Sequence, residues 1–131
     1  MTSPRRVVVA TASYGAGHDE IAAALIEELR SRGPETVRVT DVDLLERCAP
    51  RSARLARVAY SAGEVFFPVG SGSVTRLAGS SPEDPVLREL LGSGIDSASA
   101  VLDALSPDIV VAVHPVAADI AAEVASRVGC T

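Results

Sequence analysis

"VVVATASYGAGHDEIAAALIEEL", residues 7–29, changes from one periodicity to another within a single short loop. Val7–Thr11 is a β-branched run of the kind that fills a buried parallel strand. From His18 to Arg32 the spacing turns helical: Ile21, Leu25 and Leu29 form a stripe, which Ala22 and Ile26 widen. Asp19 and Glu20 fall in the first turn, where unpaired backbone N–H groups favour negative charge, and Arg30 and Arg32 fall near the end. Gly33–Pro34 stops the helix, and Thr36–Val42, "TVRVTDV", alternates as a second strand. Strand, helix, strand in this order is a βαβ unit with a right-handed crossover, so the stretch predicts an α/β fold with a parallel sheet.

Outward from that unit, Pro107–Pro115, "PDIVVAVHP", reads as another continuous apolar strand. Val116–Val128 returns to helix, with Val116, Ile120 and Val124 on one stripe and Gly129 as its terminator. In the middle, Arg51–Val65 can be helical, with Leu55, Val58, Ala59, Ala62 and Phe66 on one arc; Pro68, Gly70 and Gly72 then break the pattern. Asp84 as N-cap and Pro85 as first helical residue predict a further helix, interrupted at residues 92–94 and ending near Leu105. Three strands make a thin sheet with room for more. The domain is therefore expected to be incomplete at its C-terminus, or completed by another chain.

Composition narrows the function classes. The 131 residues suit one domain. Of these, 47% are apolar but only 3% are aromatic, so the core must be built from Val, Leu, Ile and Ala. A net charge of −5 argues against a general nucleic-acid binder, which needs a basic face. All 12 basic residues are Arg, which removes a P-loop lysine, a Schiff base and a lysine general base. Cys48 and Cys130 stand far apart, without a CxxC or a neighbouring His, so neither a disulfide framework nor a metal site is expected. No apolar run reaches the length of a membrane span and no signal-peptide pattern opens the chain; a cytoplasmic location is expected.

The loop between strand and helix invites a phosphate-binding reading, because helix N-termini present unpaired N–H groups to anions. The dinucleotide fingerprint needs a third glycine, and Glu20 stands in its place, although Asp41 could mimic the ribose-binding acid. No cofactor is expected on these grounds. His18 is the stronger signal. It stands at the helix start, over the carboxyl end of the first strand, where open α/β sheets bind ligands. A neutral imidazole there is suited to take a proton from a hydroxyl, and a capping or packing role is the plainer alternative. The helix end works against a charge on the ring, while Asp19 and Glu20 work for it. His114, the second of two histidines, also closes a strand just before a helix. If the strands are neighbours, both rings border one crevice; otherwise His114–Pro115 is a strand-ending turn.

These residues resemble a known family. "VVVATASYGAGHDEIAAALIEEL" is similar to the opening of the monogalactosyldiacylglycerol synthase and processive diacylglycerol glucosyltransferase group, relatives of the cell-wall lipid-linked N-acetylglucosaminyltransferase. Gly15, Gly17, His18, Ala22, Ala24 and Leu25 match that family's strand, G-x-G-H loop and Ala-rich helix. Pro107, Asp108, His114 and Pro115 match its P-D-…-H-P strand, and "VTDVDLLERCAP", residues 39–50, resembles its strand-plus-"VDLL" segment.

The resemblance implies a Rossmann-like three-layer domain with a mostly parallel sheet, the N-terminal half of a GT-B architecture whose donor-binding C-terminal domain is absent. It implies an inverting transfer of a hexose from a nucleotide sugar to a lipid hydroxyl such as that of diacylglycerol, with His18 as general base. Tyr14, Gly15, Gly17, His114 and Pro115 would line the acceptor side. The nucleotide sugar would be held by the missing domain or by a separate donor-domain chain. The alternative is a non-catalytic Rossmann-type nucleotide-binding module using Gly15, Gly17 and Asp41.

Arg51, Arg54 and Arg57 precede the apolar arc, no acid appears from Arg51 until Glu64, and Phe66 and Phe67 follow. A basic amphipathic helix of this kind can lie on an anionic membrane surface or pack as an ordinary helix on the sheet. With a lipid acceptor, Arg54, Arg57, Phe66 and Phe67 are the expected membrane contacts, at the inner face of the cell membrane. The lysine-free, Ala- and Arg-rich composition suits a GC-rich bacterial source.

Overall fold

The computed structural model describes residues 3–12, 16–51, 53–54, 57–58 and 94–128. In chain order these form β1 (Arg5–Thr11), α1 (Ala16–Ser31), β2 (Val37–Asp43), α2 (Leu44–Cys48), α3 (Ile95–Leu105), β3 (Ile109–Ala112) and α4 (Pro115–Val128). The three strands make a small open sheet in the order β2-β1-β3, and both pairings are parallel. This is an α/β fold, as the alternation of strand and helix patterns predicts.

β1 carries the architecture because it sits in the middle. Val7 is in register with Val39 on one side and Ile109 on the other, and Val8 is in register with Thr40 and Val110. Successive residues of a strand point to opposite faces, so β1 divides its side chains between two layers. Val8, Ala10 and Val42 face the larger core, built with Leu44 and Leu45 of α2, Ala98 and Leu102 of α3, and Val116, Ile120 and Val124 of α4. Val7 and Val9 face the other way and are fully covered. That is why Val7–Ala10 is an uninterrupted apolar run: α2, α3 and α4 lie on one face and α1 on the other.

The layer formed by α1 is the thinner one. The sequence stripe centres on Ile21, Leu25 and Leu29, but among the α1 residues whose burial is described Ala22 is the buried one, and Ile21 is 59% exposed. Ala22 lets the helix axis approach the sheet closely, and the 100° step of a helix turns Ile21 to the flank. Ile109 of β3, whose register partner Val7 faces α1, is likewise 42% exposed. Val58, placed on an apolar arc by its spacing, is 61% exposed. Backbone at residues 51, 53–54 and 57–58 is helical, as expected there, and so is residue 50; the remainder of the Arg51–Val65 helix and the Asp84–Pro85 helix start lie outside the described residues.

Element ends follow local chemistry. Gly33 takes φ +86°, a left-handed conformation that suits glycine, and its N–H donates to the Arg30 carbonyl at 3.2 Å. At the end of α3 Ser106 adopts a left-handed φ of 44°, its N–H donating to the carbonyls of Leu102 and Asp103, and Pro107 prevents continuation. The short helix α2 is one that the hydrophobic pattern does not reveal. It forms because Asp43 at the end of β2 accepts the Glu46 N–H at 2.8 Å as an N-cap. Among the described residues, no helix is long and apolar enough to cross a membrane.

Two outcomes check this packing. Leu102→Ala removes a side chain that is 1% exposed from the middle of the larger core, and should cost ~2–5 kcal/mol in urea unfolding. Asp108 ties β3 to β1: its carboxylate accepts the Arg6 N–H at 2.7 Å, and its own N–H donates to the Arg6 carbonyl at 2.8 Å. The Arg6 backbone N–H holds the carboxyl below its ordinary range against desolvation, the next largest effect, with lesser help from the Arg6 and Arg5 charges. A lowered folded-state value stabilises the protein above the unfolded carboxyl range and loses that contribution as pH falls through the folded value. Asp108→Asn should therefore be less stable than the parent at neutral pH, with the gap closing in strong acid.

Candidate functional site at the carboxyl end of the sheet

β1 leads into α1 on one face and β3 leads into α4 on the other, so the sheet's connections diverge at the β1–β3 boundary. Crevices of this kind, outside the carboxyl ends of the strands, are where open α/β sheets take ligands. The structure brings both histidines to that point. His18 is the third residue of α1, and His114 immediately precedes α4. Their rings meet edge to face, with centroids 4.7 Å apart and planes inclined at 68°.

Each ring is held by backbone, and the partners fix the tautomers. His18 Nδ1 lies 2.9 Å from the Val113 carbonyl oxygen. A carbonyl only accepts, so Nδ1 carries the hydrogen and the neutral ring keeps its lone pair on Nε2. Val113 is itself placed by its N–H, which donates to the Ala10 carbonyl at 3.0 Å and extends the β1–β3 ladder by one residue. His18 thus bridges the helix on one face to the strand end on the other. His114 works in the opposite sense. The Val116 N–H donates to its Nδ1 at 3.2 Å, which leaves the neutral ring's hydrogen on Nε2. Its carbonyl accepts the Ala118 N–H at 2.8 Å, so His114 is the N-cap of α4 and Pro115 the first helical residue.

The environments differ. His114 is 4% exposed, whereas His18 is half-buried. Gly17 sits beside it, exposed, and a Cβ built there meets nothing within 4 Å. Its φ is not among the positive values either. Neither packing nor backbone conformation demands a glycine at this helical position, where Ala would be the more stable choice; what the missing side chain leaves is open space over the helix start.

Tyr14 and Gly15 lie outside the described residues, as do Phe66 and Phe67. Pro115 is exposed at the rim. Arg54 is exposed, while Arg57 is engaged within the chain: its guanidinium pairs with Glu46 of α2 and its Nε donates to the Ala53 carbonyl at 3.4 Å. Asp41 pairs with Arg30 at 3.7 Å on the exposed side of β2, two residues short of the strand end. Cys48 is a free thiol, half-buried, and burial together with the Asp43 charge pushes it up to about 11, which leaves it protonated and unreactive near neutrality. Among the described residues, no cluster of three or more His, Cys, Asp or Glu could hold a metal ion. The groups that sequence spacing does not reveal are the Val113 carbonyl and the Val116 N–H, because backbone partners leave no mark on residue identity.

No family model matches the chain, and no curated protein or solved structure is significantly similar to it.

The N-cap assignment makes a direct prediction. His114→Ala should destabilise the protein by ~0.5–2 kcal/mol in denaturant unfolding, and His114→Asn, whose side chain can also accept the N-terminal N–H, should recover much of that loss.

Proposed function

We propose that this chain is the acceptor-side domain of an inverting glycosyltransferase, Rossmann-like and equivalent to the N-terminal half of a GT-B enzyme, with His18 as the general base. The observation that carries the reading is the His18 Nδ1–H bond to the Val113 carbonyl at 2.9 Å, which presents the Nε2 lone pair at the sheet's carboxyl end. The ordered match to the G-x-G-H, "VDLL" and P-D-…-H-P motifs supports it independently.

The chemistry follows from that nitrogen. An acceptor hydroxyl, such as the free hydroxyl of diacylglycerol, donates its hydrogen to Nε2. As its oxygen bonds to the anomeric carbon of the sugar, the bond from that carbon to the nucleotide phosphate breaks on the opposite side. The proton passes to His18, the electron pair leaves with the nucleoside diphosphate, and a single displacement inverts the anomeric centre. The Val113 carbonyl accepts from Nδ1–H throughout and so stabilises the imidazolium that forms. Gly17 leaves room for the acceptor at the helix start, and the buried His114 ring packs edge to face against His18. Recognition of the nucleotide belongs to a second domain, in the same chain or another, and the membrane surface supplies the lipid. A nucleotide-binding module is less well supported: Asp41 is paired with Arg30 away from the strand end, and Asp43, which does stand there, caps α2.

Two measurements test the reading. In a two-domain enzyme whose acceptor side is this chain, His18→Ala should lower kcat by roughly a hundredfold or more. Its unfolding should shift by only ~1 kcal/mol, the loss of one part-buried hydrogen bond. Turnover within a few-fold of the parent would reduce His18 to a packing residue. Gly17→Ala should fold as well as the parent or gain ~0.5–1 kcal/mol, yet weaken binding of a short-chain diacylglycerol in micelles. Unchanged acceptor affinity would remove Gly17 from the site.

A further inference from the structure

At the opposite end of the sheet β1 and β2 have three arginines among their first residues, Arg5, Arg6 and Arg38. Arg6 and Arg38 are register partners across the β1–β2 ladder, so they leave the same face directly opposite one another. Like charges in that arrangement repel. Arg5 lines the same hollow, about 620 Å³ in volume, with Ser3, Pro4 and Asp108.

Asp108 is the one acid in that lining, and it is already engaged. One of its oxygens accepts the Arg6 N–H at 2.7 Å, and the other lies 3.8 Å from the Arg6 guanidinium. Arg30, Arg32 and Arg57 each have a carboxylate partner. Arg5 and Arg38 have no ion pair among the described residues, and both side chains are exposed. A protein of net charge −5 thus keeps a local excess of about two positive charges over a concave surface. The guanidinium fork matches two oxygens of a phosphoryl group, and a doubly charged anion between Arg6 and Arg38 would cancel their repulsion. The volume suits a small ligand.

We propose that this hollow is a binding site for a phosphate monoester, separate from the histidine crevice and independent of the glycosyltransferase reading. The group could be carried by a soluble metabolite or by a lipid headgroup. The test is a titration of the whole chain with inorganic phosphate, followed by backbone amide NMR, beside co-sedimentation with vesicles of phosphatidic acid or of phosphatidylcholine. Saturable shifts at Arg5, Arg6, Arg38 and Asp108 are expected. The double substitution Arg5→Gln/Arg38→Gln should weaken binding by about tenfold or more, since each exposed guanidinium contributes charge-assisted hydrogen bonds without supporting the core. Arg6 is left in place because it anchors Asp108. Variant-sensitive binding to inorganic phosphate alone assigns the group to a soluble ligand. Variant-sensitive preference for phosphatidic acid vesicles assigns it to a headgroup. Shifts that sodium chloride reproduces at matched ionic strength, or binding undiminished in the double variant, overturn the proposal.

Discussion

The described residues are arranged around the placement of β1 between two parallel partners. Because both ladders run in the same direction and in register, the carboxyl ends of three strands finish together. The helices that leave β1 and β3 begin side by side on opposite faces. Val7–Ala10 has to be apolar at every position for this to work, since alternate residues serve different layers. The amide of Val113, continuing the ladder past β3, then offers its carbonyl at the height where α1 begins. The histidine contact is in this sense a product of strand register.

Much of this was legible in the residues. The shift from β-branched run to helical spacing identifies β1 and α1, and the stripe Val116, Ile120, Val124 is buried as its spacing requires. The convergence of His18 and His114 on one end of the sheet also follows from their positions, each between a strand and a helix. Boundaries were less legible. α1 begins two residues ahead of His18 and β3 spans only Ile109–Ala112, because hydrogen bonding, not hydrophobicity, sets where an element stops. α2 escapes a periodicity search altogether; five residues are too few to show a stripe, and its signature is the cap at Asp43.

The roles of the two rings were harder to read than their location. Identical side chains at equivalent strand-to-helix junctions end in opposite hydrogen-bonding states, one donating through Nδ1 and the other accepting there. What separates them is three residues of offset relative to the helix start. His114 precedes its helix and so captures an amide, whereas His18 lies inside its helix and reaches across to another strand. Ile21 is a second case: its spacing marks it as core, yet Ala22 takes the place against the sheet and Ile21 turns to the flank.

The two margins of the described sheet differ. The outer strand β2 carries Arg38, Thr40 and Asp41 on its exposed positions, which discourages stacking against other chains. β3 has no charge between Ile109 and Ala112, and Ile109 and Ile21 both present oily surface to water. Among the described residues β3 is therefore the margin without a charge of its own, and Ile109→Lys would supply one.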